Sequence, residues 1–214
     1  MSTTLIYCYD PMCSWCWGFQ PTWQTLKTAL TPLLDKKELS IQPMLGGLAI
    51  DSDLSMPLPM QEKLQATWQQ IANQLGTQFN HAFWQNCTPR RSTYPACRAC
   101  LVARDQGLES EMIEQIQHAY YLHAKNPSDL DTLAECAHKL GLKKDSFTKT
   151  MEHIKTAELL EREINQARQL GLNSFPSLAV LAGNRIIHIN LDYQNADNML
   201  SEIKRAMARL EQAD

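Results

Sequence analysis

The sequence predicts an α/β protein in which a mixed domain is interrupted by a long helical segment. Three observations support this prediction. Residues 1–50 alternate between strand-like and helix-like hydrophobic patterns, residues 51–171 keep a helical period almost throughout, and strand patterns return after residue 172. We therefore predict one domain formed by residues 1–50 and 172–214, with an all-helical insertion domain over residues 51–171.

The composition is that of a globular protein without a strong charge bias. Of the 214 residues, 44% are hydrophobic, which is enough for a substantial core, and the formal net charge is −3. Because both signs are mixed along the chain, a nucleic acid is not an expected partner. No apolar run approaches the roughly 18 residues of a membrane span. The first residues lack the features of a signal peptide, so we expect a cytoplasmic protein with no membrane partner.

The first fifty residues predict a strand, a helix and a second strand. Residues 3–9 are rich in β-branched and aromatic side chains, which is typical of a buried strand. Apolar residues recur at helical spacing over residues 21–34. Residues 38–48 alternate between apolar and polar side chains. Pro43 favours an edge position or a β-bulge for this strand, because proline cannot donate a ladder hydrogen bond.

The insertion is predicted to contain helices separated by short loops. Pro57 and Pro59 indicate a loop over residues 51–60. The sequence Ser-Asp-Leu-Asp at residues 128–131 indicates a helix that begins with a capping box. The predicted helices cover residues 61–75, 94–106, 109–124, 130–140, 146–154 and 156–170.

The C-terminal part predicts a β-hairpin and a final helix. Residues 177–181 and 185–189 have strand character, and only Ala-Gly-Asn separates them. Residues 196–210 place their apolar side chains on a single helical stripe. These patterns give the element order β-α-β, helical insertion, β-β-α.

Two cysteines lie at the predicted junction between the first strand and the first helix. Cys13 and Cys16 are separated by Ser14 and Trp15, so they lie one helical turn apart. Unpaired N–H groups and the helix dipole favour a thiolate at Cys13. A CxxC pair can also be half of a zinc site or a coincidence, but this position favours a redox pair. We predict that Cys13 is the nucleophile and Cys16 the resolving thiol, and that the two intervening residues line the substrate site and set the reduction potential.

Longer motifs resemble those of a known family. The decapeptide Asp-Pro-Met-Cys-Ser-Trp-Cys-Trp-Gly-Phe at residues 10–19 resembles the FrnE-like branch of the DsbA family. Residues 92–99, Ser-Thr-Tyr-Pro-Ala-Cys-Arg-Ala, resemble a segment of that branch and of hydroxychromene-carboxylate isomerase-like proteins that faces the active-site cleft. The resemblance implies a thioredoxin-like fold with an all-helical insertion domain, which is the DsbA-like architecture. It also implies that Cys97 and Arg98 contact the substrate.

A proline before the third strand adds to the resemblance. Thioredoxin-like proteins place a cis-proline opposite the CxxC, and Phe175-Pro176 resembles that element. The resemblance therefore implies a cis peptide bond before Pro176 and a substrate contact by Phe175. A trans proline at the start of a strand is the alternative interpretation. DsbA-like proteins more often have glycine where Ser174 stands.

A second cysteine pair, Cys97 and Cys100, is the most ambiguous feature. On a helix the two thiols are i,i+3 neighbours, so they could form a redox pair, bind zinc or pack as small hydrophobes. Their distance along the chain from the first pair argues against a zinc ribbon, and packing is favoured. No metal site is predicted. Asp10, before the first pair, either accepts a proton from the resolving thiol or caps the following turn.

These features predict a thiol–disulfide oxidoreductase, acting as a protein disulfide oxidoreductase or isomerase. The Cys13 thiolate attacks a protein or small-molecule disulfide, and Cys16 resolves the mixed disulfide. No metal or organic cofactor is needed, and glutathione or an external dithiol serves as co-substrate. The alternatives are a glutathione-dependent isomerase or transferase acting on a small organic molecule and, third, a metal-binding or peptide-binding module. The direction of electron flow, the natural substrate and the oligomeric state are left open.

Overall fold

The computed structural model describes residues 3–212, and within them four strands form one mixed sheet. The strands are β1 (Thr3–Tyr9), β2 (Leu39–Leu45), β3 (Ser177–Ala182) and β4 (Arg185–Ile189). Their order is β2-β1-β3-β4, with β2 parallel to β1 and the other two neighbouring pairs antiparallel. Because β2 is an edge strand, it accommodates Pro43 as predicted. The predicted α/β class is confirmed.

Helices make up most of the remaining chain. The α-helices in the described part are α1 (Ser14–Asp35), α2 (Leu58–Leu75), α3 (Phe83–Asn86), α4 (Tyr94–Arg104), α5 (Glu109–Gln117), α6 (Leu130–Lys139), α7 (Lys144–Thr156), α8 (Leu159–Gln169) and α9 (Ala196–Glu211). A π-helical turn, His118–Leu122, continues α5. We refer to residues 51–171, which contain α2 to α8, as the helical segment. Among the helices described, none has both the length and the apolar character needed to cross a membrane.

Helix α1 begins at Ser14, directly after Cys13, where the position of the CxxC motif predicts a helix start. The apolar helical pattern covers only residues 21–34, so the helix extends beyond that pattern toward its N-terminus and contains Pro21. An internal proline removes one helical hydrogen bond and is costly. Cys16 and Phe19 in the first two turns are fully buried, so their burial in the core outweighs that cost.

Two helix starts in the helical segment also differ from expectation. Helix α2 begins at Leu58, inside the predicted loop, because Pro59 falls in the first turn, where proline is tolerated. The capping box predicted at residues 128–131 is wrong. Helix α6 follows Asp129, but the Asp129 side chain pairs with Arg90 and makes no capping hydrogen bond.

Helices cover both faces of the sheet. Helices α1 and α9 pack together on one face, where Leu5 and Val180 enter the main core. Helix α8 lies on the other face, where its Ala167 packs in a cluster with Ile6 and Ala179. Strand β1 is therefore buried on both sides, which explains its nearly continuous apolar sequence.

An aromatic cluster in the helical segment packs against the β1–α1 junction. Trp68 is fully buried, and the ring centroids of Phe79 and Tyr121 lie 5.0 and 5.4 Å from its own. The Trp68 indole donates a hydrogen bond to Ser14 Oγ at 2.9 Å, and the Tyr121 hydroxyl donates to the Met12 carbonyl at 2.8 Å. The helical segment thus holds this junction directly.

A largely buried ionic cluster joins the helical segment to the sheet at a second point. Arg104 donates to Glu109 at 2.8 Å and to Glu163 at 2.6 Å, and the two carboxylate side chains are only 10% and 14% exposed. Glu109 also accepts a hydrogen bond from the Tyr9 hydroxyl, and Glu163 accepts one from the Leu45 N–H. Burial opposes the charge of Arg104, but its hydrogen bonds to the two carboxylates outweigh burial and raise its pKa.

Candidate active site

The two cysteines of the CxxC motif lie where β1 passes into α1. The chain turns after β1, and the Cys13 N–H bonds to the Asp10 carbonyl at 3.0 Å. Cys13 is the residue before α1, and Cys16 lies in its first turn; both are free thiols. Cys13 is 7% exposed, whereas Cys16 is fully buried. Cys13 is therefore the more accessible of the two thiols.

The loop before β3 lies opposite Cys13. The Cys13 thiol donates a hydrogen bond to the Phe175 carbonyl, with 3.2 Å between sulfur and oxygen. The Phe175–Pro176 peptide bond is cis, as the family resemblance implied. The Phe175 ring lies so close to Gly46 that a β-carbon on residue 46 would come within 1.7 Å of it. Glycine at this position is what allows the ring to lie there.

The second thiol of the pair is protected from ionisation. Burial raises the pKa of Cys16 well above its ordinary value, and the hydrogen bond with Cys13 and the charge of Cys13 raise it further. Cys16 is therefore protonated at neutral pH and does not compete with Cys13 for a substrate. Its position one turn away still places it beside any mixed disulfide formed at Cys13. This geometry fits an order of reaction in which Cys13 acts first.

Cys13 opens onto a cavity of about 320 Å³ between the sheet and the helical segment. This volume is near the lower end of the range typical of small-molecule sites. One wall comes from the β1–α1 junction and the loop before β3, and it includes Ser14, Trp15 and Phe175. The opposite wall is formed by residues that lie between β2 and the loop before β3 in the chain: Leu48, Met56, Leu64, Thr67, Arg90, Arg91, Thr93 and Tyr120.

The two residues between the cysteines both line this cavity. Ser14 Oγ accepts the hydrogen bond from the Trp68 indole, which fixes the orientation of the serine hydroxyl. Trp15 is partly exposed, and its ring meets the ring of Tyr193 edge-on at a centroid distance of 5.2 Å. Substrate binding by Ser14 and Trp15, and their influence on the reduction potential, remain predictions.

Asp10 is a buried carboxyl group that joins the active-site turn to the helical segment. Its oxygens accept hydrogen bonds from the N–H groups of Met12 (2.8 Å) and Leu48 (2.7 Å) and from the Thr93 hydroxyl (2.7 Å). The Cys97 thiol donates a fourth, longer bond at 3.5 Å. Burial raises the pKa of Asp10, and these hydrogen bonds oppose the rise. Asp10 thus caps the turn before Cys13, and its role as a proton acceptor remains a prediction.

The residues predicted to contact substrate from α4 lie outside the Cys13 cavity. Cys97 and Cys100 are fully buried, and burial raises the pKa of each thiol. Arg98 forms an ion pair with Asp51 and lines a different cavity. Substrate contact by Cys97 or Arg98 therefore stays a prediction, because neither side chain lines the Cys13 cavity. Among residues 3–212, no cluster of three or more side chains suited to hold a metal ion is found.

Replacing both Cys97 and Cys100 by alanine is expected to leave the reaction of Cys13 with disulfides within about threefold of its rate in the unchanged protein, because buried, protonated thiols are poor nucleophiles. The rate of oxidation by a small disulfide, followed by thiol trapping, measures this effect. Cys8→Ala is the control, since Cys8 is also fully buried. A loss as large as that caused by Cys13→Ser would show that the second pair takes part in exchange.

Sequence patterns missed most of the cavity residues that the helical segment contributes, and the exception is Thr93, which lies in the family-like segment at residues 92–99. Arg91 and Tyr120 line the cavity, but neither belongs to a recognisable motif. Arg91 occurs in a polar loop, and its one signal is that it precedes the family-like segment at residues 92–99. Tyr120 gives no local signal, because its position depends on the packing of the π-helical turn that continues α5.

Comparison with family models identifies a domain that covers most of the chain. Residues 4–204 match the model described as DSBA-like thioredoxin domain. A search of curated proteins gives no match.

Solved structures share this fold over nearly the whole chain. A putative protein disulfide isomerase from Nitrosomonas europaea is 22% identical at a TM-score of 0.80, with 98% of this chain and 99% of that chain covered. The cytosolic disulfide reductase DsbM from Pseudomonas aeruginosa is 24% identical at a TM-score of 0.68, with 98% of each chain covered, and a further structure of it contains GSH. A 2-hydroxychromene-2-carboxylate isomerase is 14% identical at a TM-score of 0.55, with 98% of this chain and 97% of that chain covered.

At these identities the solved structures establish the fold alone. Together with the family model, they confirm the DsbA-like thioredoxin fold predicted from the sequence. The match over residues 4–204 goes further, because it covers well over half of the chain. The chain belongs to the DSBA-like thioredoxin domain family.

Proposed function

We propose that this protein is a thiol–disulfide oxidoreductase that uses Cys13 and Cys16 as its redox pair. The observation that carries the proposal is the unequal environment of the two thiols. Cys13 opens onto a cavity at the start of a helix, and Cys16 is fully buried one turn behind it. An accessible first thiol and a sheltered second thiol are what a two-step exchange requires.

The reaction begins at Cys13. Its thiolate attacks one sulfur of the substrate disulfide, which forms a mixed disulfide and releases a thiolate that takes a proton from water. The Cys16 sulfur then attacks Cys13 Sγ, the bond between Cys13 and the substrate breaks, and the proton of Cys16 passes to the departing substrate sulfur, so that a Cys13–Cys16 disulfide forms and the second substrate thiol leaves. Two electrons pass from the protein to the substrate, and the reverse sequence oxidises a dithiol.

A reducing thiol is the proposed co-substrate. Glutathione or an external dithiol returns the pair to its reduced form, without a metal or an organic cofactor. The structural similarity to a cytosolic disulfide reductase that has been solved with GSH supports a thiol co-substrate and a cytoplasmic location.

Protein disulfides are also proposed substrates. Three exposed apolar side chains occur along the chain beside Leu48 and Met56, which line the cavity: Ile50 and Leu54 in the loop and Leu58 at the start of α2, which are 69%, 79% and 71% exposed. Exposed apolar side chains on a segment that also supplies cavity residues favour contact with an unfolded peptide segment.

Equilibration against mixtures of reduced and oxidised glutathione tests the proposal. After thiol trapping, mass spectrometry is expected to show one two-electron transition, with the disulfide assigned to Cys13 and Cys16. The midpoint relative to the cytosolic glutathione potential gives the preferred direction of electron flow. If no disulfide forms at any ratio, the protein is not a redox enzyme of this kind, and a glutathione-dependent isomerase becomes the better explanation.

A further inference from the structure

Two adjacent arginines reach the cavity beside Cys13, and they differ in their surroundings. Arg90 is paired with Asp129 and donates to the Ser128 carbonyl at 2.9 Å. A backbone bridge between Ser55 and Arg90 fixes the loop that carries both arginines. The charge of Arg90 is thus compensated within the protein.

The neighbouring Arg91 has no such compensation. It is partly buried, and it forms no ion pair or hydrogen bond with any residue of the described span 3–212. No acidic side chain of that span lines the cavity. Arg91 and Tyr120 line the same cavity. Burial raises the pKa of the Tyr120 hydroxyl, and the positive charge of Arg91 opposes this rise. A partly desolvated guanidinium is stabilised when it gains an anionic ligand.

We propose that Arg91 binds a carboxylate of the disulfide substrate while Cys13 attacks its sulfur, so that the preferred small substrates are disulfides of carboxylate-bearing thiols. A guanidinium presents a planar set of donors that matches a carboxylate in two parallel hydrogen bonds. A cavity of about 320 Å³ accommodates a ligand the size of one small thiol and its acidic group. This inference rests on the proposed function, because it assigns the specificity of the same site.

The first half-reaction isolates the effect of Arg91. In a Cys16→Ala background the Cys13 thiolate attacks the disulfide, one Cys13–sulfur bond forms, the substrate S–S bond breaks, and one thiolate leaves and is protonated by water. Three disulfides of similar size and different charge serve as probes: 3,3′-dithiodipropionate, bis(2-hydroxyethyl) disulfide and cystamine. The rate of adduct formation at Cys13 is followed by peptide mass. It is compared between the protein that keeps Arg91 and the variants Arg91→Gln and Arg91→Lys.

We expect the rate that is lost on replacing Arg91 to depend on the charge of the disulfide probe. Arg91→Gln slows the reaction with dithiodipropionate by about tenfold, as for the loss of a charge-assisted hydrogen bond, and changes the neutral probe by less than about twofold. Cystamine reacts equally fast or faster with this variant. Arg91→Lys keeps the preference for the anionic probe. Arg205→Gln makes the same change in net charge on an exposed face of α9 and leaves all three rates unchanged.

Other outcomes overturn the inference, and they are distinct from failure of the proposed function. An equal loss for all three probes means that Arg91 acts on Cys13 or on the fold, and no loss means that it binds no substrate carboxylate. If Cys13 reacts with none of the probes even when Arg91 is present, the proposed oxidoreductase function itself fails.

Discussion

Replacing Cys13 by serine is expected to abolish disulfide exchange, with a loss of at least on the order of a thousandfold, because a serine hydroxyl does not form the nucleophile at neutral pH. Cys13 is the thiol of the pair that lines the cavity, and Cys16 has no exposed surface from which to replace it. Reduction of insulin by the protein with a thiol reductant measures the effect. The fold is expected to survive, since sulfur and oxygen differ little in size.

The companion variant Cys16→Ala is expected to stop the reaction one step later. Cys13 still attacks the substrate, but no resolving thiol follows, so the mixed disulfide accumulates and is visible as added mass. Cys87→Ser is the matched control, because Cys87 is the partly exposed cysteine outside the motif and lies outside the cavity. Full activity of both Cys13→Ser and Cys16→Ala would contradict the assigned roles.

Replacing Arg104 by methionine is expected to lower the free energy of unfolding by about 3 to 5 kcal/mol, because two largely buried carboxylates lose their counter-charge. Glu109 and Glu163 would then be left without the ion pairs that Arg104 forms with them. Unfolding in urea, followed by circular dichroism, measures the loss.

An exposed ion pair provides the matched control for Arg104. Lys125 pairs with Glu135, and their side chains are 45% and 56% exposed. Lys125→Met is therefore expected to change the free energy of unfolding by less than about 1 kcal/mol. If the Arg104 and Lys125 variants lose similar amounts, the ionic cluster does not hold the helical segment to the sheet in the way that its burial indicates.

The sequence predicts those parts of the site that depend on local order. A strand followed by CxxC and a helix places Cys13 and Cys16 at a junction, and the short motif before β3 carries Pro176. The helical hydrophobic pattern covers only residues 21–34 of α1, whereas burial of Cys16 and Phe19 stabilises the turns that precede Pro21. Tertiary burial of this kind has no local signature.

Most residues on the opposite wall of the cavity could not be predicted from the sequence, because their positions also depend on tertiary packing. Arg98 lies in the family-like segment yet pairs with Asp51, while Arg91, one residue before that segment, lines the cavity. The difference depends on which face of α4 meets the core and on the bridge that fixes the loop before it. Neither is encoded in the spacing of residues near the cysteines.

The hydrogen bonds from Trp68, Tyr121 and Thr93 to the turn before α1 determine what a shortened version of this protein would lose. Each comes from the helical segment and ends on the turn or on the first residue of α1. A minimal enzyme made by excising residues 51–171 would keep both cysteines but lose the groups that orient them. Protein engineers who want a smaller version must therefore rebuild these three hydrogen bonds from the remaining residues, because the helical segment supports the candidate active site directly.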